Sequence, residues 1–157
     1  MGEHHGPDGP LHAAAVDDAA PALLAAWDAA RERATPRLSW PQLNALLVVE
    51  RQEGVNLRGL AGELNMILSS ASRLCDRLVA SGMVERVPGQ VDRREIALYL
   101  TPSSRQLLDD LRRTRREILG EVLDRMSPSS RAALIRGLTE FSAAAASAEV
   151  GSRIRTA

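Results

Sequence analysis

Residues 68–108, "LSSASRLCDRLVASGMVERVPGQVDRREIALYLTPSSRQLL", change their hydrophobic period twice. At about 100° per residue, Leu68, Ala71, Leu74, Cys75, Leu78 and Val79 share one side of a helix. Ser69, Ser70, Arg73, Asp76 and Arg77 share the other. Gly82 closes this helix. Two strand signals follow, "MVERV" at 83–87 and "EIALYL" at 95–100, joined by the turn-rich "PGQVDRR". Ile96, Leu98 and Leu100 alternate and are expected to point inward. Thr101 and Pro102 then open a new helix, a capping hydroxyl followed by a first-turn proline.

Working upstream, "LRGLAGEL" at 57–64 predicts a short helix ended by Asn65, a residue that tolerates the left-handed conformation. Two helices joined by so short a turn form a helix-turn-helix, and the hairpin behind them is a wing. Before it, "LSWPQL" at 38–43 is a capping box: Ser39 caps the chain, Gln42 reaches back, and Leu38 and Leu43 form a hydrophobic staple. That helix continues through Leu46, Leu47 and Val49 to Gly54. A first helix is expected from near Asp17 to Ala34, with Leu23, Leu24, Trp27 and Ala30 as its apolar stripe. Downstream, the helix opened by Pro102 runs through Leu107, Leu111, Ile118, Val122 and Met126. Ser127 and Pro128 repeat the start signal for a last helix through Leu134, Leu138 and Phe141.

Residues 1–15 lack periodicity and read as a disordered tail. Residues 16–150 read as one domain, with the winged helix-turn-helix at 57–101. The fold class is mainly α with a small β-hairpin wing, and helices at 16–34 and 102–149 are available for dimerisation. Length agrees: 157 residues fit one domain with helices to spare for assembly.

Composition narrows the function. Only 3% of residues are aromatic, so the core is aliphatic. Twenty basic residues, all arginine, balance twenty acidic ones, which excludes a uniformly basic binder but leaves room for a local basic surface. One cysteine permits no internal disulfide, and no apolar run is long enough to span a membrane. The N-terminus lacks a secretory signal and the myristoylation pattern, so the expected compartment is the cytoplasm. His4, His5 and His12 have no cysteine or carboxylate at ligand spacing, so no metal and no cofactor are expected. An enzyme would need a nucleophile with a base. The histidines lie in the tail and the one thiol on an apolar face.

The outer face of the 68–81 helix combines hydroxyls with two arginines, suited to phosphates and base edges but also to a solvated surface. The hairpin tip shifts the balance. Asp92 can brace Arg93 or pair with Arg94, holding a guanidinium of the size and charge that enters a narrow minor groove.

At these residues the chain resembles the MarR family of bacterial transcriptional regulators. The likeness rests on the "SRL-DRL" helix, "SGMVER" leading into the first wing strand, the "DRR" wing and the closing "LT", with "LSWPQLNALLVV" and "LRGLAGEL" upstream. It extends over roughly residues 16 to 148. The resemblance implies a homodimer, joined through the first and last two helices, on a pseudo-palindromic DNA site. It places Ser69, Ser70, Ser72 and Arg73 on the major-groove face, Arg77 and Arg86 against the backbone, and Asp92, Arg93 and Arg94 in the wing. Two features depart from the pattern. Gly59 and Gly62 lie inside the first helix of the motif and are expected to weaken it by roughly 1 kcal/mol each relative to alanine. Residues 58–95 hold six arginines against five acidic residues, a meagre excess for non-specific binding.

Some relatives sense oxidants through cysteine, but Cys75 between Leu74 and Leu78 reads as a core residue without a resolving partner. Relatives also bind small aromatic or anionic molecules beside the DNA-binding lobe. Trp27, Arg31 and Trp40 offer an aromatic wall and a cation for such an effector, and serve equally as core or dimer anchors. The expected function is a homodimeric, sequence-specific DNA-binding regulator, a repressor released by a small-molecule ligand. The rival is a winged helix that binds protein without specific DNA recognition.

Overall fold

The computed structural model describes residues 9–34, 36–88 and 96–155, with side chains from 11 to 147 of these. Among the described residues, six helices and three short strands follow in the order α1 (Gly9–Arg33), α2 (Trp40–Arg51), β1 (Val55–Asn56), α3 (Leu57–Glu63), α4 (Leu68–Ala80), β2 (Val84–Pro88), β3 (Ile96–Leu100), α5 (Pro102–Leu123) and α6 (Pro128–Arg155). The mainly helical class with a small wing is therefore correct. The chain divides into two compact units, residues 1–116 and 117–157.

In the first unit, the start of α2 is set by local chemistry. The Gln42 amide donates to Ser39 Oγ at 3.4 Å and the Ser39 amide donates to Gln42 Oε1 at 2.9 Å, completing the expected box. Leu38 and Leu43 are both buried. Past α2, Gly54 takes φ +79°, and a Cβ there would sit 2.9 Å from the Tyr99 hydroxyl. The chain then runs into β1, a strand the sequence patterning does not reveal. β1 pairs antiparallel with β3, as does β2, giving the order β1-β3-β2. Val55 faces Leu98, and Arg86 faces Leu98 from the other side.

Asn56, the last residue of β1, caps α3. Its Oδ1 accepts from the Gly59 amide at 2.8 Å. This corrects half of the expectation about the glycines. A Cβ on Gly59 would come within 2.8 Å of Val55 Cγ2, so alanine there requires the valine side chain to shift and loses part of its helical advantage. Gly62 has open space around its Cα, and its cost stands without visible compensation. Asn65 turns the chain at φ +50°, as its position predicts, and the Met66 amide donates to Ala61 O at 2.9 Å.

The core of this unit lies where α2, α3, α4, β3 and the first half of α5 meet. Leu43, Leu46, Leu60, Leu74, Leu78, Leu98 and Leu108 are fully buried, each contributing about 1.5–3 kcal/mol through transfer from water. At the start of α5, Thr101 Oγ1 donates to Gly82 O at 2.9 Å and accepts from the Ser104 amide at 3.2 Å. Ser104 Oγ donates to Met83 O, so the hydroxyls buried beneath the wing are satisfied. Ion pairs brace α2 from outside: Arg51 with Glu63 of α3 at 3.2 Å, Arg105 of α5 with Glu53 just past α2 at 2.7 Å, and Arg112 of α5 with Glu50.

Three expectations need correction. First, α1 begins at Gly9, so residues 9–15 of the expected tail are helical: Pro10 is tolerated in a first turn, and Ala13, Ala14 and Ala15 favour the helix. His12 lies on that helix, whereas His4 and His5 fall outside the described residues. Second, Ile96 is not buried. It shares the face of Leu98 and Leu100 by strand alternation but is half exposed at the loop end of the hairpin, opposite Pro88, while Ala97 on the other face is buried. Third, Leu68 is not on the buried side of its helix. It is 46% exposed, because the core contacts of α4 begin one turn later, at Ala71.

The second unit holds the end of α5 and α6. Ser127 caps α6, its Oγ accepting from the Ser130 amide at 3.1 Å. Val122, Leu134, Ile135, Leu138 and Phe141 are all exposed. Among the described residues, no helix is long and apolar enough to cross a membrane.

Candidate nucleic-acid interface

The second helix of the helix-turn-helix, α4, has two chemically opposite faces. Ala71, Leu74, Cys75 and Leu78 are buried. Ser69, Arg73, Asp76 and Arg77 are exposed, and Ser70 and Ser72 are half-buried at the margins. The helix is held from below by its apolar stripe, which leaves the serines and arginines presented as one polar surface. Arg73 and Arg77 enter no ion pair among the described residues, so both guanidiniums are available to an anion.

Arg86, on β2, joins this surface in an unforeseen way. Its Nη2 donates to Asp76 Oδ1 of α4 at 2.6 Å, tying the base of the wing to the helix. Contact with the Cys75 sulfur, and next the bond to Asp76, raises the Arg86 pKa above the usual arginine value. The bond to Asp76 holds Arg86 in place at the base of the wing. Asp76 also offsets the positive surface at its middle, leaving Arg73 and Arg77 as the uncompensated charges of α4. Asp92, Arg93 and Arg94 lie outside the described residues, although the strands that carry their loop are both present and paired.

Of the three residues expected at an effector site, Arg31 and Trp40 meet directly, and Trp27 takes a different cation. Arg31 lies over Trp40, its Cζ 5.6 Å from the ring centre, and its Nη1 donates to Leu38 O at 3.1 Å. Trp27 is engaged instead by Arg115, whose Cζ sits 4.3 Å above its ring. Burial, and then repulsion from Arg112, lowers the Arg115 pKa below the usual arginine value. Sequence spacing gave no sign of Arg115, because the pairing depends on how α5 packs against α1. Each tryptophan thus carries an arginine on one face and stays partly exposed. Cys75 is buried and unpaired, as expected for a core residue.

Three comparisons with known proteins bear on this geometry. Residues 38–96 match the model of the MarR family, a span running from the staple residue Leu38 to the first residue of β3. The uncharacterized HTH-type transcriptional regulator YfiV of Bacillus subtilis is 28% identical over 107 residues, covering 68% of this chain and 67% of that protein. The crystal structure of RV1404 from Mycobacterium tuberculosis superimposes with a TM-score of 0.80 at 26% identity, covering 92% of this chain and 97% of that one. Streptococcus pneumoniae FabT, solved in complex with DNA, shares the fold with a TM-score of 0.62 at 21% identity over 84% of this chain and 92% of its own. Family model, curated relative and structural neighbours agree with the two-faced helix and its wing: residues 38–96 are a region of the MarR family, a family of transcription regulators and not of enzymes.

Proposed function

We propose that this regulator is a sequence-specific repressor that binds a pseudo-palindromic operator as a homodimer in the cytoplasm. The observation that carries the reading is the outer face of α4, where Ser69, Arg73 and Arg77 stand exposed opposite a fully buried stripe. An α-helix fits the major groove, and arginine pairs bidentately with guanine there. Ser70 and Ser72 complete that face, Arg77 and Arg86 meet the phosphate backbone, and Arg94 or Arg93, steadied by Asp92, enters the adjacent minor groove. The apolar side chains exposed along α1 and α6 support dimerisation, since the helices named in this role hold more apolar surface than their own units cover.

Release follows from population shift. A ligand preferring a dimer whose two α4 helices no longer match the groove spacing lowers operator occupancy. The effector is an aromatic or anionic small molecule bound near Trp27, Arg31 and Trp40, with Arg115 as a second cation. Footprinting of the purified protein on DNA upstream of its own gene tests the reading. Two protected half-sites about one helical turn apart are expected. Protection absent from every duplex at low salt would leave the winged helix as a protein-binding module.

A further inference from the structure

The turn that leads into α4 carries an anomaly that neither packing nor capping explains. Ile67 occupies the N-cap position, with φ −67° and ψ 146°, and makes no side-chain capping bond. Isoleucine is among the poorest residues there, since it offers no oxygen to the first amides of the helix. Nor does it gain from burial: Ile67 is 71% exposed, and the adjacent Leu68 is 46% exposed. Two large aliphatic side chains thus sit in water at the tip of the helix. Exposed Ser69 follows immediately, and Arg73 and Arg77 further along enter no ion pair among the described residues.

The surroundings identify the occupant. With Asp76 engaged by Arg86, the charges of Arg73 and Arg77 are the ones on this face without an ion pair among the described residues, so the partner is an anion large enough to reach Arg73, Arg77 and the helix tip together. Duplex DNA meets that condition. Its major groove presents one apolar group, the C5-methyl of thymine, and aliphatic side chains recognise it by contact. We infer that Ile67, assisted by Leu68, is a specificity-determining residue that packs on a thymine methyl of each half-site, so that this regulator requires an A·T pair where the tip of α4 enters the groove. This rests on the DNA-binding reading above and adds a base preference to it.

The test uses the full-length protein and a duplex selected by it from a randomised pool, remade with single thymines replaced by deoxyuridine, which lacks only the methyl. At one symmetric position, uracil is expected to weaken binding by about fourfold per half-site, the effect of one buried methyl-sized group. With Ile67→Ser the same change should cost nothing, and the melting temperature should stay level or rise because serine restores the cap. The inference is overturned if uracil weakens both proteins equally, or affects wild type nowhere in the site. It is equally overturned if Ile67→Ser alters the oligomeric mass, which would make the tip a contact between protein chains. Failure of wild type to enrich any duplex would instead sink the DNA-binding reading itself.

Discussion

α4 and α6 both carry apolar side chains at helical spacing, yet the structure treats those side chains in opposite ways. α4 buries Ala71, Leu74, Cys75 and Leu78 within its own unit and turns serines and arginines outward. α6 leaves Leu134, Ile135, Leu138 and Phe141 exposed, with Phe141 at 64%. A helix that satisfies its apolar face internally can offer a polar face to a partner such as DNA. One that does not must find apolar cover from another chain, or remain an aggregation liability. The winged lobe therefore has the makings of a self-sufficient reader, and the flanking helices those of an incomplete assembly.

The largest expected effect breaks the first half of that comparison. Leu74→Ala empties a fully buried position of α4 and should destabilise the winged lobe by about 2–5 kcal/mol, read by thermal or urea unfolding. A change within experimental error would mean that α4 is not anchored by its apolar stripe. Next, Leu138→Glu with Phe141→Glu should weaken dimerisation by roughly tenfold to a hundredfold, the effect of losing one or two buried side chains, as read by sedimentation over a concentration series. The circular dichroism of the helices should persist. Unchanged association would place the dimer contact elsewhere and make the exposure on α6 incidental. The smallest effect concerns Cys75. Cys75→Ser puts a hydroxyl on a buried apolar face and should cost about 1 kcal/mol while leaving any peroxide response of DNA binding unchanged. A peroxide response present in wild type and absent from the variant would make this buried thiol a sensor.

What was legible in the sequence was what side chains encode at fixed offsets. Ser39 and Gln42 stand three residues apart and form the box they spell out, and Asn65 takes the left-handed turn its position demands. The bounds of α4 followed from its period. What was hidden depends on packing between distant segments. β1 is only Val55–Asn56 and exists because β3 lies beside it, so no alternation could announce it. The Arg86–Asp76 bond and the Arg115–Trp27 stack join residues on different elements. Trp27, Arg31 and Trp40 were legible as an aromatic wall and a cation, but that Trp27 takes Arg115 depends on how α5 packs against α1. Ile67 escaped notice for a different reason: the apolar run Met66-Ile67-Leu68 reads as cover for a core, and only the exposure of Ile67 sets it apart.

The central claim is that the outer face of α4 reads DNA, and salt-dependent binding to the footprinted duplex tests it most directly. Wild type should lose affinity steeply as salt rises. Arg73→Ala, on the base-reading face, should weaken binding by about 1–3 kcal/mol and relax the preference at one base position. Arg77→Ala, against the backbone, should weaken binding to all sequences alike and reduce the salt slope by about 1. Both variants should melt with wild type, since exposed charges contribute little to stability. Unchanged affinity and slope in two folded variants would contradict the account and return α4 to the status of a solvated helix.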